Sequence, residues 1–352
     1  QWIEQHCVSE EVRSTFPRVV DSIVFKSCEQ ISMLYFLWYA KSGDTLKRLM
    51  DITNGAQERK LIGGSSLVSR RIAEALGPTI VALNAPVTCI DQNNKNQIKV
   101  TCRNGKYYTA QRVIVALAPP LYKSITWTPS LPSDKTMLAE KISMGHVVKT
   151  FLYYDKAWWR DLGFTGQVWD INGPVLYSVD DCKADVSNAC LMGFVVGHDA
   201  IVLQKKSKAE RQDTIIAQYK ELFNCEEAGK PTAYDDMDWN AEEFSGGGPC
   251  ATPEIGTFLQ ISKGIREPFD GVHFAATELA TQWAGYMDGA IQSGERAAEE
   301  VLHRLFDQAC LPEADAPASV VKAKPAQPGA VDRILAWSFG LYVRYIAGRR
   351  IE

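Results

Sequence analysis

The sequence lacks several patterns that mark common classes of protein. It contains no GxGxxG motif, no CxxC pair, no internal repeat and no run of about 20 apolar residues that would span a membrane as a helix. Its nine cysteines are odd in number and scattered, which argues against a disulfide framework and favours a reducing compartment. The cysteine spacing also gives no sign of a zinc site.

Strong charge of either sign is absent as well. A net charge of −4 on 352 residues is only mildly acidic, which argues against nucleic acid as the main partner. With 46% hydrophobic and 23% charged residues, the composition is typical of one large or two medium globular domains. The sequence has no initiator Met and no signal peptide, and it opens on a helical pattern, so we expect it to be a fragment.

The most informative stretch runs from residue 271 to residue 305. A short apolar run, 272–276, predicts a strand, and a polar loop containing Trp283 follows it. A helix is predicted to begin near Tyr286, because apolar residues then recur at i, i+3, i+4 and i+7 over five turns. Free N–H groups at such a helix start form an anion site, although most strand-to-helix joints are purely structural.

The identity of the residues favours a specific family. The segment FAATELATQWAGYMDGAIQSGERAAEEVL resembles the C-terminal flavin-contacting segment of flavin-dependent monoamine oxidases, with about thirty residues matching without a gap. The resemblance implies that Ala276, Thr277, Tyr286 and Met287 contact the flavin, with Tyr286 forming an aromatic wall of the catalytic site. The family usually has Gly at the position of Ala276.

Three earlier segments carry the same resemblance. TNGAQERKLIGG implies that Gln57 lines the substrate cavity, whereas without the family a loop-capping amide is the better interpretation. Val87 is implied to touch the adenine end of the flavin. The apolar strand 112–118, which includes Ala116, is implied to pass beside the dinucleotide.

A lysine on an otherwise apolar strand is the main catalytic candidate. Residues 142–160 predict a strand on which Val147, Lys149 and Phe151 share one face, and a buried ammonium needs compensation. An edge position with the side chain in solvent is the alternative. The match of GHVVKTFLYY to the family implies that Lys149 holds a water molecule against the flavin N5 atom. Trp239 is implied to flank both the cavity and the cofactor.

One departure from the family concerns the bond to the cofactor. The ungapped match places Gly248 where the family has the cysteine that bonds covalently to flavin, and Pro249 where it has a tyrosine. Cys250 follows two residues later, and reaching the flavin from there would require a local shift. We therefore predict that FAD is bound non-covalently.

The resemblance covers the chain up to about residue 310 but corresponds to roughly the last two-thirds of the family. The glycine-rich loop that cradles the pyrophosphate belongs to the missing N-terminal third. The implied fold class is mixed α/β, an incomplete two-domain FAD-binding amine oxidase fold. The expected division is substrate-domain parts at 1–61 and 139–241, FAD-binding parts at 62–138 and 242–306, a linker at 307–330, and a C-terminal helix at 331–352.

The implied activity is FAD-dependent oxidative deamination of an amine to aldehyde, ammonia and hydrogen peroxide, with O₂ as the oxidant. A polyamine or amino-acid oxidase and a catalytically inactive relative remain alternatives; retention of Lys149, Trp239 and Tyr286 favours a truncated enzyme over the latter. The tail RILAWSFGLYVRYIAGRR predicts an interfacial or membrane-anchoring helix, with a docked amphipathic helix as the alternative. The family implies the mitochondrial outer membrane, with a cytoplasmic location as the alternative, and a homodimer is left open.

Overall fold

The computed structural model describes residues 2–306 except 95, 184, 186, 262 and 263. The predicted linker 307–330 and C-terminal helix 331–352 lie outside the described residues. The α-helices are α1 Trp2–His6, α2 Glu10–Val24, α3 Met33–Ser42, α4 Leu46–Met50, α5 Ser66–Leu76, α6 Ser133–Lys141, α7 Trp158–Asp161, α8 Gly197–Gln204, α9 Lys208–Phe223, α10 Phe258–Ile261 and α11 Met287–Phe306.

The strands are β1 Val87–Asp91, β2 Ile98–Cys102, β3 Tyr107–Ala110, β4 Val113–Val115, β5 Thr126–Thr128, β6 Ile142–Met144, β7 Val147–Tyr154, β8 Val168–Trp169, β9 Val175–Asp180, β10 Ala189–Val196, β11 Ala233–Asp238, β12 Ala251–Pro253 and β13 Val272–Phe274. Short 3₁₀ helices cover Cys28–Gln30, Pro119–Ser124, Glu226–Gly229 and Thr277–Leu279. This mixture of helices with parallel and antiparallel strands confirms the predicted mixed α/β class.

The described chain forms two compact units. The first comprises residues up to 30 and 144–249, and the second comprises residues 31–143 and 250–306. The predicted boundaries at 61/62, 138/139 and 241/242 differ from this division. The largest difference concerns α3 and α4, which belong to the second unit because their contacts, rather than their helical pattern, determine where they fold.

The first unit is built on one antiparallel sheet with the order β11-β7-β10-β9-β8. Because strand side chains alternate, Val148, Leu152 and Tyr154 of β7 point to one face, where they are buried. There they belong to the hydrophobic core cluster that includes Trp159 and Tyr219. Helix α9 begins with a capping box, in which the side chains and backbone of Ser207 and Glu210 bond reciprocally.

The second unit is divided into smaller sheets. One has the order β3-β2-β1-β5, in which Asn104 and Gly105 lie in the hairpin turn between β2 and β3. The others are the parallel pair β13–β4 and the pair β12–β6. Strand β1 begins only at Val87, directly after Pro86, which has no backbone N–H to donate to a sheet.

The eight described cysteines form no disulfide with one another. Cys7 and Cys190 of the first unit are buried, as are Cys102 and Cys250 of the second unit. Cys28, Cys89, Cys182 and Cys225 are half-buried. The described cysteines therefore differ in their access to solvent rather than in their bonding.

Candidate active site

The parallel pair β4 and β13 brings two of the predicted cofactor residues to the same edge. Phe274 lies opposite Val115 in the register, and the Ala275 N–H donates to the Val115 carbonyl at 2.9 Å. Ala116 and Ala276 therefore lie at the carboxyl ends of adjacent parallel strands, where ligands commonly bind in α/β sheets. Neither alanine carries a bulky side chain that would block an approaching group.

The segment after β13 is fixed to helix α11 by two hydrogen bonds. The Ala276 N–H donates to Ser293 Oγ at 2.8 Å, and Thr277 Oγ1 donates to the Tyr286 carbonyl at 2.9 Å. The helix begins at Met287, one residue after its predicted start. A Cβ on Gly289 would lie 2.3 Å from the Trp283 carbonyl oxygen, so a larger residue there would displace the loop.

Trp283 positions Tyr286 within this loop. It has a positive φ of 51°, and its N–H donates to the Ser42 carbonyl at 2.9 Å. The two aromatic rings meet edge to face, with centroids 5.3 Å apart and planes at 81°. Burial, with a smaller contribution from Cys250, raises the pKa of Tyr286 to about 12, so this phenol is neutral at physiological pH.

Cys250 packs against the same loop. Gly285 has a φ of 85°, and a Cβ placed on it would lie 2.5 Å from Tyr39 Oη and 3.1 Å from Cys250 Sγ. Burial raises the pKa of Tyr39 well above its usual value, and the neighbouring Cys250 adds to the effect. The sequence identified Cys250 but gave no sign that Tyr39 lies beside it.

Gln57 and Val87 have contacts that differ from those implied by the family. Gln57 is exposed, and its side-chain amide donates to the Leu49 carbonyl at 3.4 Å, as the loop-capping alternative predicts. Val87 is half-buried at the start of β1, opposite Cys102. The described contacts therefore tie these two residues to their local structure, and their roles at a ligand stay predictions.

In the first unit, Lys149 lies on an interior strand. Strand β7 is flanked by β11 and β10, with Met237 and Phe194 directly opposite Lys149. The alternative of an edge strand is therefore wrong. The side chain is half-buried, and its Nζ lies 5.0 Å from the centre of the Phe194 ring, within the range of a cation–π interaction.

Trp239 directly follows β11, the strand that pairs with β7. Its N–H donates to the Val147 carbonyl at 3.3 Å, one step beyond the Asp238–Val148 pair. Met237 pairs with Lys149 and shares its face of the sheet, and continued alternation of the side chains would bring Trp239 to the same face. Trp239 keeps 37% of its surface exposed, which leaves its ring available to a ligand.

An aromatic wall continues along this face. Phe194 stacks on Tyr177 with centroids 4.5 Å apart, and Tyr177 stacks on Trp169 at 6.0 Å. Sequence reasoning missed these three residues. Each belongs to a recognisable strand, but the stacking depends on the register of β8, β9 and β10, which a single sequence does not specify.

Gly248, also in the first unit, leaves no room for a side chain. A Cβ built on it would lie 2.7 Å from Cδ2 of Phe25. Phe25 itself has a positive φ of 57°, and its carbonyl accepts a hydrogen bond from the His146 N–H at 2.8 Å. A cysteine at position 248 would therefore require Phe25 to move.

The residues of the second unit fit a flavin ring. The first-turn N–H groups of α11 have no acceptor within the helix, and Met287 and Asp288 are exposed there. Such N–H groups suit the electron-rich carbonyl edge of a flavin, and the methyl side chains of Ala116 and Ala276 allow close approach. For the pyrophosphate, this sequence has no glycine-rich loop of the GxGxxG type.

Comparison with known proteins decides the family. The family model described as flavin containing amine oxidoreductase matches residues 1–302. The chain belongs to this family. It is 38% identical over 305 residues to amine oxidase [flavin-containing] A of Bos taurus and 36% identical over 308 residues to amine oxidase [flavin-containing] B of Homo sapiens. Each match covers 86% of this chain and 58% of the relative, so the chain spans less than two thirds of these proteins.

Solved structures of the family agree with the fold. Putrescine oxidase bound to putrescine superposes with a TM-score of 0.81 at 28% identity, and cyclohexylamine oxidase from Brevibacterium oxydans IH-35A with 0.81 at 27%. Each comparison covers 86% of this chain and 67% of the other. The prediction of a mixed α/β amine oxidase fold is confirmed over the part of those chains that this one covers.

Two features are absent from residues 2–306, leaving aside the five internal residues that the structure does not describe. No helix in that part is both long and apolar enough to cross a membrane. No group of three or more His, Cys, Asp or Glu side chains there is arranged to hold a metal ion.

Proposed function

We propose that this protein oxidises amines to aldehyde, ammonia and hydrogen peroxide with FAD as cofactor and O₂ as oxidant. Family membership supports the reaction class, and one observation carries the assignment to this chain. Lys149 lies on an interior strand of a sheet, beside the Phe194–Tyr177 stack, and Trp239 follows the end of the adjacent strand β11. A cation and an aromatic surface are thus combined where a purely structural face would bury aliphatic residues.

Each unit has its own proposed role. The first unit would contribute the amine-facing surface, with Trp239, Phe194 and Tyr177 desolvating a neutral amine. The Nζ of Lys149 would donate a hydrogen bond to a water molecule beside the cofactor. In the second unit, Ala116, Ala276, Thr277 and the start of α11 would hold the flavin, with Tyr286 as an aromatic wall. Gln57 and Val87 stay weaker candidates for the cavity and the adenine end.

FAD, when bound, would take up the hydride equivalent from the amine and pass electrons to O₂. The protein's part is to bind, orient and exclude water. A neutral Tyr286 suits this role, because a phenolate would attract the protonated, unreactive form of an amine. We also propose that FAD is held non-covalently, since Phe25 occupies the space that a side chain at position 248 would need.

The test is to express the chain with riboflavin and look for visible flavin absorbance that bleaches anaerobically on addition of an amine. Peroxide release in air should follow. Lys149→Met should slow reoxidation of the reduced protein by O₂ about tenfold, or about 1.4 kcal/mol in the barrier. Lys156→Met is the matched control, because Lys156 is an exposed lysine paired with Asp161.

Three outcomes would contradict parts of this proposal. A colourless chain that neither binds flavin nor releases peroxide would favour the inactive relative. Equal reoxidation rates in Lys149→Met and the parent would make Lys149 a structural residue. Flavin that stays in the pellet after acid precipitation would show a covalent bond and point to Cys250.

The amine itself also belongs to the proposal. Monoamines are the first expectation, and comparing them with diamines and amino acids as substrates would test the polyamine and amino-acid alternatives. Membrane association through residues 331–352, at the mitochondrial outer membrane, is proposed on the family resemblance alone. Deleting these residues should move the protein from the membrane pellet to the soluble fraction, and an unchanged distribution would favour a docked helix. Sedimentation would test for a homodimer.

A further inference from the structure

The second unit contains a cavity that the proposed reaction does not use. Its volume is about 110 Å³, and its walls are mostly apolar. The lining residues that matter for its chemistry are Tyr35, Trp38, Phe258, Arg266 and Glu278. A cavity of about 150 Å³ accommodates benzene, so this one suits a ligand of about five non-hydrogen atoms.

Glu278 places a carboxylate at this cavity with one oxygen unpaired. Its Oε1 accepts a hydrogen bond from the Ala251 N–H at 2.7 Å. Its Oε2 is buried and has no hydrogen-bond partner among the described residues. Burial raises the pKa of Glu278, and the hydrogen bond from the Ala251 N–H offsets this effect only in part, so the charge of the carboxylate is not fully compensated. A cation at Oε2 would supply that compensation.

Three aromatic rings form a cluster on the cavity wall. The centroid of Tyr35 lies 5.6 Å from that of Trp38 and 5.3 Å from that of Phe258, and Trp38 and Phe258 are 5.4 Å apart. Their planes differ by 34° to 80°, so the rings pack against one another at inclined angles and present one aromatic wall to the cavity. Aromatic clusters of this kind bind organic ammonium groups by cation–π attraction.

Arg266 is the lining residue that would favour an anion instead. Its Nε donates to the Leu279 carbonyl at 2.7 Å, and one Nη donates to the Ala280 carbonyl at 3.2 Å. Two of the guanidinium nitrogens are therefore already bonded to the backbone that follows Glu278. Its charge nevertheless makes an anion the competing ligand, and the experiment has to distinguish the two.

We propose that this cavity binds the ammonium group of a small primary alkylamine, held between the Glu278 carboxylate and the rings of Tyr35, Trp38 and Phe258. The carboxylate accepts hydrogen bonds from the ammonium, and the apolar walls hold the short alkyl chain. All of these residues belong to the second unit, and none of them is among those proposed to hold the flavin or to face the amine that is oxidised. This binding therefore requires neither the cofactor nor the oxidation chemistry.

The test is isothermal titration of the unmodified chain with n-butylammonium, 1-butanol and butyrate, which share one alkyl chain but differ in charge. We expect n-butylammonium to bind saturably and at least about tenfold more tightly than 1-butanol, about 1.4 kcal/mol. Butyrate should bind more weakly still. Equal binding of the alcohol, tighter binding of butyrate, or no saturable binding of n-butylammonium would each overturn the proposal without any mutation.

Variants locate the site. Glu278→Gln should weaken n-butylammonium binding by at least about tenfold, and Phe258→Leu should weaken it by less, because it removes one ring. Glu254→Gln is the matched control. Glu254 directly follows Pro253, which lines the cavity, but it is an exposed acid that pairs with Lys141. Its loss should change n-butylammonium binding less than about twofold. Unchanged binding in a folded Glu278→Gln protein would overturn the assignment.

A further ligand distinguishes whether the cavity binds a free amine or the lysine side chain of a polypeptide. Nα-acetyl-lysine amide carries the same ammonium on a peptide-sized body. Weaker binding than n-butylammonium assigns the cavity to free amines, whereas equal binding assigns it to a lysine of a polypeptide. Both results support recognition of an alkylammonium.

Discussion

Leu152 in the first unit and Ile72 in the second are both aliphatic residues of regular elements, yet their surroundings are opposite. Leu152 is fully buried in the core beneath the five-stranded sheet. Ile72, on helix α5, is 54% exposed, and α5 buries none of its residues. Ile62 and Leu83 on either side of α5 are 95% and 81% exposed. Leu152 is thus covered by the core of its own unit, whereas this part of the second unit presents an apolar surface.

This difference shows where each unit is stabilised. In the first unit, long strands paired over many residues generate one continuous core. In the second unit, short strands are distributed among several small sheets, and polar groups such as Lys135 and His273 are buried. Exposed apolar surface of this extent is typical of a contact with another polypeptide segment or partner.

The largest expected effect comes from truncating a core residue. Leu152→Ala should lower the free energy of unfolding by about 2 to 5 kcal/mol, because it leaves a cavity in a close-packed core. Ile72→Ala should change it by less than about 0.5 kcal/mol. Urea denaturation followed by circular dichroism measures both. A loss at Ile72 as large as that at Leu152 would show that α5 is covered in solution.

The second effect concerns a buried lysine of the second unit. Lys135 is 1% exposed and donates to the Gly264 and Ile265 carbonyls at 2.6 and 3.0 Å. Burial lowers its pKa from 10.5 to about 8. Between these values the unfolded chain binds more protons, so stability should rise with pH by up to about 3 kcal/mol.

Lys135→Met should remove this rise, and the exposed Lys123→Met should leave it intact. The measurement is the free energy of unfolding of each protein from pH 8 to pH 10. A parent and a Lys135→Met variant with the same pH dependence would mean that the ammonium is solvated.

The first unit should respond to pH in the opposite direction. Burial raises the pKa of Asp21 from 3.8 to about 6, even though Arg18 lies 3.1 Å away. The folded protein then binds the extra proton between these values, so stability should fall by up to about 3 kcal/mol as pH rises from 4 to above 6. Asp21→Asn should flatten this dependence in thermal melts, and Asp161→Asn should not. A steeper dependence in Asp21→Asn would reverse our interpretation of this carboxyl.

The smallest expected loss of unfolding free energy comes from changing the residue that precedes a helix. Ser207 caps α9 with its hydroxyl, whereas Ser65 precedes α5 without a side-chain capping bond. Ser207→Ala should therefore cost about 1 kcal/mol of unfolding free energy, and Ser65→Ala close to none. Equal costs would indicate that Ser65 caps α5 in solution.

Local patterns predicted much of this structure from the sequence. The spacing of apolar residues predicted the start of α11 to within one residue. The Asn104-Gly105 pair is typical of a hairpin turn, and it lies in the turn between β2 and β3. A lone lysine in an apolar strand marked Lys149 as a special position. Each of these features depends on residues that are close in sequence, because turn geometry and side-chain periodicity are local properties of the chain.

What the sequence did not predict depends on long-range contacts. The Phe194–Tyr177 stack requires a particular register between two strands, and the Tyr39–Cys250 neighbourhood joins residues far apart in the chain. The boundary at residue 31 was missed because α2 and α3 are both helical in pattern. The aromatic cavity with Glu278 was missed because sequence comparison directs attention to the adjacent Thr277.

Each unit contains a buried cysteine whose rate of alkylation can be used to measure local unfolding of that unit. Cys190 lies in the first unit, and Cys102 lies in the second, each with less than 4% of its surface exposed. An alkylating reagent reaches such thiols only when the surrounding structure opens, so its rate reflects the local opening free energy. Peptide mass spectrometry after timed labelling then gives a separate alkylation rate for Cys190 and for Cys102 in the same chain. The half-buried Cys28 and Cys225 supply the fast reference.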